Sequence, residues 1–125
     1  MMATISEMYG NGRTKSGTVE DITSEFTSSN TRVTITSAVR SGNVIQMQVG
    51  ILRSSAISSG GSVTATLTSP YLPAIPAGGI GYLSARTITC SLTPEGAFTF
   101  RNSSDSETAA SSGNYAYVYM TYITG

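Results

Sequence analysis

The chain has no histidine and no tryptophan, one cysteine, one lysine, and only 11% charged residues in a length of 125. Each shortage closes off a class of function. Without histidine the side chain whose ordinary pKa lies nearest neutrality is missing, so the usual nucleophile-base triads, proton shuttles and most zinc sites cannot be assembled. A lone Cys90 forms no intrachain disulfide and nucleates no metal cluster. Lys15, the single lysine, sits in a stretch with little periodicity, and amine nucleophiles are not expected. Net charge is zero, which removes long-range attraction to nucleic acid or to acidic membranes. No apolar run approaches the length of a membrane span, and no basic amino end precedes an apolar segment, so neither membrane insertion nor a cleaved leader is expected.

The carboxylates are as unpromising. Glycoside hydrolysis needs two of them about 5 to 9.5 Å apart. Glu20, Asp21, Glu25, Glu95, Asp105 and Glu107 are the candidates, and they read as solvated charges. They also lack calcium-loop spacing. Gly78-Gly79-Ile80-Gly81 has the glycine content of a phosphate cradle, but strand-like sequence follows it where such a loop requires a helix. The expectation is a protein that is not an enzyme and takes no cofactor and no metal.

What the chain does contain is strand texture. Val33, Ile35 and Val39, then Ile45, Met47, Val49 and Ile51, are separated by even intervals, the period of a strand with one buried face. Ser and Thr make up about 30% of the residues, so solubility rests on hydroxyls in place of charge. Arg40-Ser41-Gly42-Asn43 is a tight-turn composition that joins a strand over 31–39 to one over 44–52 as a hairpin. Val63, Ala65 and Leu67 share one face of a third strand. The stretch from Ser69 to Gly79 contains three prolines that remove ladder donors, and is expected to be an extended loop.

A short strand over 80–85 and a clearer one over 86–93 follow, the latter with Ile88, Cys90 and Leu92 inward, which makes the cysteine a buried structural thiol. Thr93-Pro94-Glu95-Gly96 favours a type II or related turn into 97–101, with Phe98 and Phe100 on one face. A Ser/Ala-rich loop precedes the last strand, Tyr115 to Ile123. Residues 1–17 read as a flexible arm or linker, and 18–125 as a single domain. Val19, Ile22 and Phe26 lie at helical intervals behind Thr18, with Asp21 as a capping-box-like residue, and fit a short helical turn or an irregular strand equally well. The fold expected is an all-β antiparallel sandwich, jelly-roll-like.

Two features suggest contacts with a partner. No acidic residue occurs between Phe26 and Pro94, while Arg32, Arg40, Arg53 and Arg86 fall inside that window; these fit ordinary solvation, or a forked contact from one or two of them to an anionic or hydroxyl-rich ligand. On the last strand Tyr115, Tyr117, Tyr119 and Thr121 share one face, and Ala116, Val118, Met120 and Tyr122 the other, so both faces are expected to be buried or in contact. Core packing, a subunit interface and an aromatic platform for sugar rings all fit the tyrosine row.

Ser41-Gly42-Asn43-Val44-Ile45, then Leu72-Pro73 with Ile75-Pro76, then Thr93-Pro94-Glu95-Gly96-Ala97-Phe98-Thr99-Phe100 and a tyrosine-rich final strand form an order that resembles the carboxy-terminal head domains of bacteriophage tail fibres and baseplate receptor-binding proteins. The resemblance spans most of Thr31 to Gly125. It implies a jelly-roll-like head on the virion, outside the cell, that forms a homotrimer, recognises host cell-surface polysaccharide, and joins other tail proteins through its amino end. Arg53, Tyr71, Tyr82, Arg86 and Asp105, at loops or strand ends, are the candidate saccharide contacts, with tyrosine in the stacking role. Tyr115, Tyr117 and Tyr119 are the candidate subunit interface. The rival expectation is a structural virion subunit, a baseplate, decoration or bridging module of the same fold, that binds protein instead of glycan.

Overall fold

The computed structural model describes residues 18–53, 56–83, 86–104 and 114–125, with 82, 83 and 86 as backbone. The arm expected over 1–17 and the candidate Asp105 lie outside these residues. Among the described residues nine strands are formed: β1 (Val19–Asp21), β2 (Thr27–Ser28), β3 (Val33–Ser41), β4 (Val44–Leu52), β5 (Ser62–Thr68), β6 (Ala77–Leu83), β7 (Arg86–Leu92), β8 (Ala97–Asn102) and β9 (Tyr115–Ile123). All pair antiparallel, in the order β1-β3-β4-β9-β6-β7-β8-β5-β2. The sheet is continuous through the β6–β7 hairpin and curls over on itself, so that its two halves face one another across a single core as in a sandwich.

The turns follow from their residues. Ser41 pairs with Val44, leaving Gly42 and Asn43 as a two-residue turn with Gly42 at φ +61°, and the Arg40 Nε–H donates to the Gly42 carbonyl at 2.8 Å. In the β7–β8 turn the left-handed residue is Gly96, at φ +96°, one position beyond where a type II turn requires it. Gly96 N–H donates to Thr93 O at 2.9 Å and Thr93 N–H to Ala97 O at 3.0 Å, the pattern of a three-residue hairpin with a glycine bulge. A Cβ on Gly96 would also overlap the Leu67 carbonyl oxygen.

Residues 19–26 divide between the two alternatives read from the sequence: β1 is a strand, and Thr23–Glu25 form one 3-10 turn. The capping role of Asp21 is played toward Thr23, with no part for Thr18. Its carboxylate accepts the Thr23 hydroxyl at 2.6 Å and the Thr23 N–H at 3.0 Å, and these bonds hold it below its usual pKa. This segment carries the chain from one edge of the sheet to the other, since β1 pairs with β3 and β2 with β5. Ser29 N–H then donates to Thr66 O and the Asn30 side chain to Thr64 O, stitching the two halves together.

Every long strand but β3 sends alternate residues inward. In β3 the register shift between Ile35 and Ser37 turns Ala38 into the core and carries Val39, expected on the buried face with Val33 and Ile35, to the outer one. Ile45, Met47, Val49 and Ile51 of β4 meet Val63, Ala65 and Leu67 of β5, Ile88, Cys90 and Leu92 of β7, Phe98 and Phe100 of β8, and Ala116, Val118, Met120 and Tyr122 of β9. Burial pushes the Cys90 thiol up to about 11, against a smaller opposing effect of the Gly79 backbone. The glycine cluster of the sequence is part of strand β6, which begins at Ala77, so the loop expected through Gly79 is three residues too long. A Cβ at Gly79 or Gly81 would overlap the carbonyl oxygen of Tyr119 or Tyr117. The strand needs glycine there to approach β9.

Candidate functional site

The outer surface is strongly asymmetric. On β5, β7 and β8 the outward residues are Ser62, Thr64, Thr66, Thr68, Thr87, Thr89, Ser91, Ala97, Thr99 and Arg101: hydroxyls, one methyl and one cation. Every exposed large apolar side chain among the described residues lies elsewhere. Val44 on β4, Ile80 on β6, and Tyr115, Tyr117, Tyr119 and Ile123 on β9 share one face; Val19 stands at its edge and Ile75 in the loop that leads into β6. This alters the expectation for β9. Only the face of Ala116, Val118, Met120 and Tyr122 is buried, and the tyrosine row stands in solvent in the isolated chain.

Register builds the face. Across β4 and β9, Val44 is opposite Ile123, Gln46 opposite Thr121, Gln48 opposite Tyr119, and Gly50 opposite Tyr117. Ile80 of β6 is opposite Tyr119 on the other side. A register shift between Ile35 and Ser37 in β3 lets Thr36 Oγ1 reach the Gln48 carbonyl at 3.1 Å and its Oε1 at 2.9 Å. The Gln48 amide in turn donates to the Tyr119 hydroxyl at 3.2 Å. The Tyr115 and Tyr117 rings stack with centroids 6.2 Å apart, beside Gly50, where an added Cβ would come within 3.0 Å of the Tyr115 ring.

In the middle of this face lies an open groove of about 560 Å³. Ser37, Val39, Gln48, Ile80, Tyr119 and Thr121 line it, and Gly78 leaves one wall without a side chain. Its polar groups are amides and hydroxyls, with no formal charge. Four strands contribute, the β3–β4 hairpin and the distant β6 and β9, so no local motif announces it; the signal in the sequence is the tyrosine row of β9, whose direction alternation leaves open.

The saccharide candidates divide by position. Arg53 follows β4, and Tyr82 is opposite Tyr117 in register, near the β6–β7 connection that leads to Arg86; these three belong to the end of the sheet where Leu52 pairs with Tyr115. Arg53 is half-buried and its backbone N–H donates to Asn114 O at 2.9 Å. Tyr71 is at the other end. It is half-buried in the proline-rich loop, its ring lies 5.1 Å from the Arg40 guanidinium carbon, and its carbonyl accepts the Tyr122 hydroxyl at 2.7 Å. Arg40 also pairs with Glu20 at 3.0 Å, so this arginine of the acid-free window has an intrachain role. Tyr71 therefore does not share a site with Arg53, Tyr82 and Arg86.

Among the described residues no three of Cys, Asp and Glu lie close enough to hold a metal ion, and no helix is long and apolar enough to cross a membrane. No family model and no curated protein matches the chain.

Proposed function

We propose that this chain is a non-catalytic head domain of a phage tail fibre or baseplate receptor-binding protein, which assembles as a homotrimer on the virion and recognises host cell-surface saccharide. One observation carries the reading: an outer face, aromatic and aliphatic, around a groove whose lining bears no charge, opposite an exterior of hydroxyls. Contiguous apolar surface on this scale is rare on a solitary soluble domain and common where a protein meets another. Its tyrosines bury large area at low entropy cost, as interface residues do. The saccharide contacts then belong at the end of the sheet to which the backbone register assigns Arg53, Tyr82 and Arg86. A guanidinium fork suits vicinal hydroxyls or phosphate, and a ring at Tyr82 suits stacking.

A purely structural virion subunit is the second reading. It is favoured by the same face, which offers protein an apolar surface and offers sugar no carboxylate acceptor. Binding to an array of bacterial wall polysaccharides separates the two. The receptor reading expects at least one polysaccharide to bind wild type, with loss of ten-fold or more on Arg53→Ala or Arg86→Ala and little change on Tyr71→Ala. Absence of binding across the array leaves the structural reading.

A further inference from the structure

Ile75 is 73% exposed, yet the loop that carries it is held firmly. Pro73 bridges to Thr124, Ala74 N–H donates to Ile123 O at 2.9 Å, and the Thr124 hydroxyl donates to Leu72 O at 2.9 Å. Pro73 and Pro76 fix φ on either side. A large apolar side chain held rigidly in water loses little conformational entropy when it is covered, the condition under which a contact yields most affinity.

We propose that Ile75 is a knob that seats in the outer-face groove of a second copy of this chain, against Val39, Ile80 and Tyr119. The inference rests on the homo-oligomeric part of the reading above and specifies how copies meet. In its own chain Ile75 stands outside the groove's rim, where it shares a smaller hollow with Thr121 and Ile123, while Tyr119 at the groove's centre is four residues back from Ile123 along β9, roughly 13 Å at strand spacing.

Charge selects the occupant. The groove's lining carries none, and Ala74-Ile75-Pro76 carries none, so two copies approach without like-charge repulsion, and the Asp21 charge, opposite Val39 at the β1 edge, lies outside the groove. Gly78 supplies clearance beside the groove for a backbone that follows the knob in. Size agrees as well: four strands of this length make a face about 30 Å by about 19 Å, which with side-chain relief and the loop approaches the roughly 800 Å² per partner of a standard interface. Knob and groove are different surfaces, so the contact is head-to-tail in kind, and its repetition about a closing rotation makes a ring such as the trimer.

The test uses the full chain. Sedimentation of wild type over a wide concentration range establishes whether it self-associates, and Ile75→Asp, a change at an exposed loop residue, should weaken that association ten-fold or more with the β-sheet circular dichroism unchanged. Mixing Ile75→Cys with Ser37→Cys under oxidising conditions should trap a disulfide-linked pair containing one of each, because the two positions in one chain are separated by β4 and β9. An oligomer that Ile75→Asp leaves intact overturns the knob while the oligomeric reading stands. A wild-type monomer at every concentration overturns both.

Discussion

The Tyr122 hydroxyl donates to the Tyr71 carbonyl at 2.7 Å, so a core side chain of the last strand holds the proline-rich loop that a distant part of the chain supplies. Burial of the ring pushes the Tyr122 pKa up, because the phenolate would have to form away from water. Tyr122→Phe keeps the ring and removes the donor. The expected cost is about 1 kcal/mol, the net worth of one such bond plus a share of the carbonyl's desolvation. Urea unfolding should show a lower midpoint with an unchanged slope, and amide exchange in 71–76 should rise more than in β4.

Cys90 predicts an alkaline limit. Its thiol titrates near 9.0 when solvated and at about 11 in the fold, so the folded state favours the protonated form. The contribution is fully present below the unfolded value and is lost as pH rises from about 9 to 11, where the unfolded chain releases a proton that the folded one keeps. Stability measured by urea should therefore fall across that window and fall less in Cys90→Val. In native buffer near neutrality a thiol reagent should label nothing until denaturant is added; rapid labelling of folded protein would contradict the burial.

Strand β6 predicts a contrast between neighbouring glycines. At Gly79 and Gly81 an added methyl meets the carbonyl oxygens of Tyr119 and Tyr117, backbone that cannot move without opening the β6–β9 ladder. At Gly78 the nearest atom, the Cys90 carbonyl oxygen, is 3.4 Å away, an ordinary contact. Gly81→Ala should lose about 3 kcal/mol, at the upper end of overpacking costs, and Gly78→Ala less than about 0.5. Equal losses at 78 and 81 would mean that strand propensity, and not the close approach, sets the cost.

These elements differ in how visible they were in the sequence. The β3–β4 hairpin was legible from its turn chemistry and from the alternation of β4, and β9 from its own alternation over Tyr115 to Ile123, but the bulge after Ile35 that buries Ala38 in place of Val39 was not. Inward Ile88, Cys90 and Leu92 followed from alternation alone. The start of β6 was hidden because Ala77-Gly78-Gly79 has no strand propensity; close packing against β9 decides it, and that is tertiary information. Which face of β9 points inward was equally hidden, since tyrosine suits core and surface alike. The groove was invisible because Ser37, Gln48, Ile80 and Tyr119 converge only through pairing among four strands. Tyr71 and Arg53 looked alike in sequence, both near strand ends, and only the register shows that the ends are opposite ones.

Asn102 is fully buried at the end of β8, and its side chain anchors the turn that precedes β5. The amide nitrogen donates to Ile57 O at 3.0 Å and Ser58 O at 3.3 Å, while Oδ1 accepts from the Ser104 N–H at 3.1 Å and its hydroxyl at 2.6 Å. Backbone bonds from Asn102 N–H to Gly61 O and from Gly60 N–H to Asn102 O complete the clasp. Asn102→Ala takes away bonds on both sides of the amide and leaves buried polar groups short of them, for a loss of about 3 kcal/mol. Asn102→Asp keeps the shape but directs an acceptor at two carbonyls, so its carboxyl should be held protonated by burial and by those oxygens. Such a group destabilises above its unfolded pKa and ceases to do so when protonated, so Asn102→Asp should regain stability as pH falls from about 7 to about 4, over a range where Asn102→Ala shows no comparable recovery. Parallel urea titrations of the two variants at these two pH values test the assignment, and identical pH responses would show that the amide nitrogen's bonds to Ile57 and Ser58 carry little of the anchor.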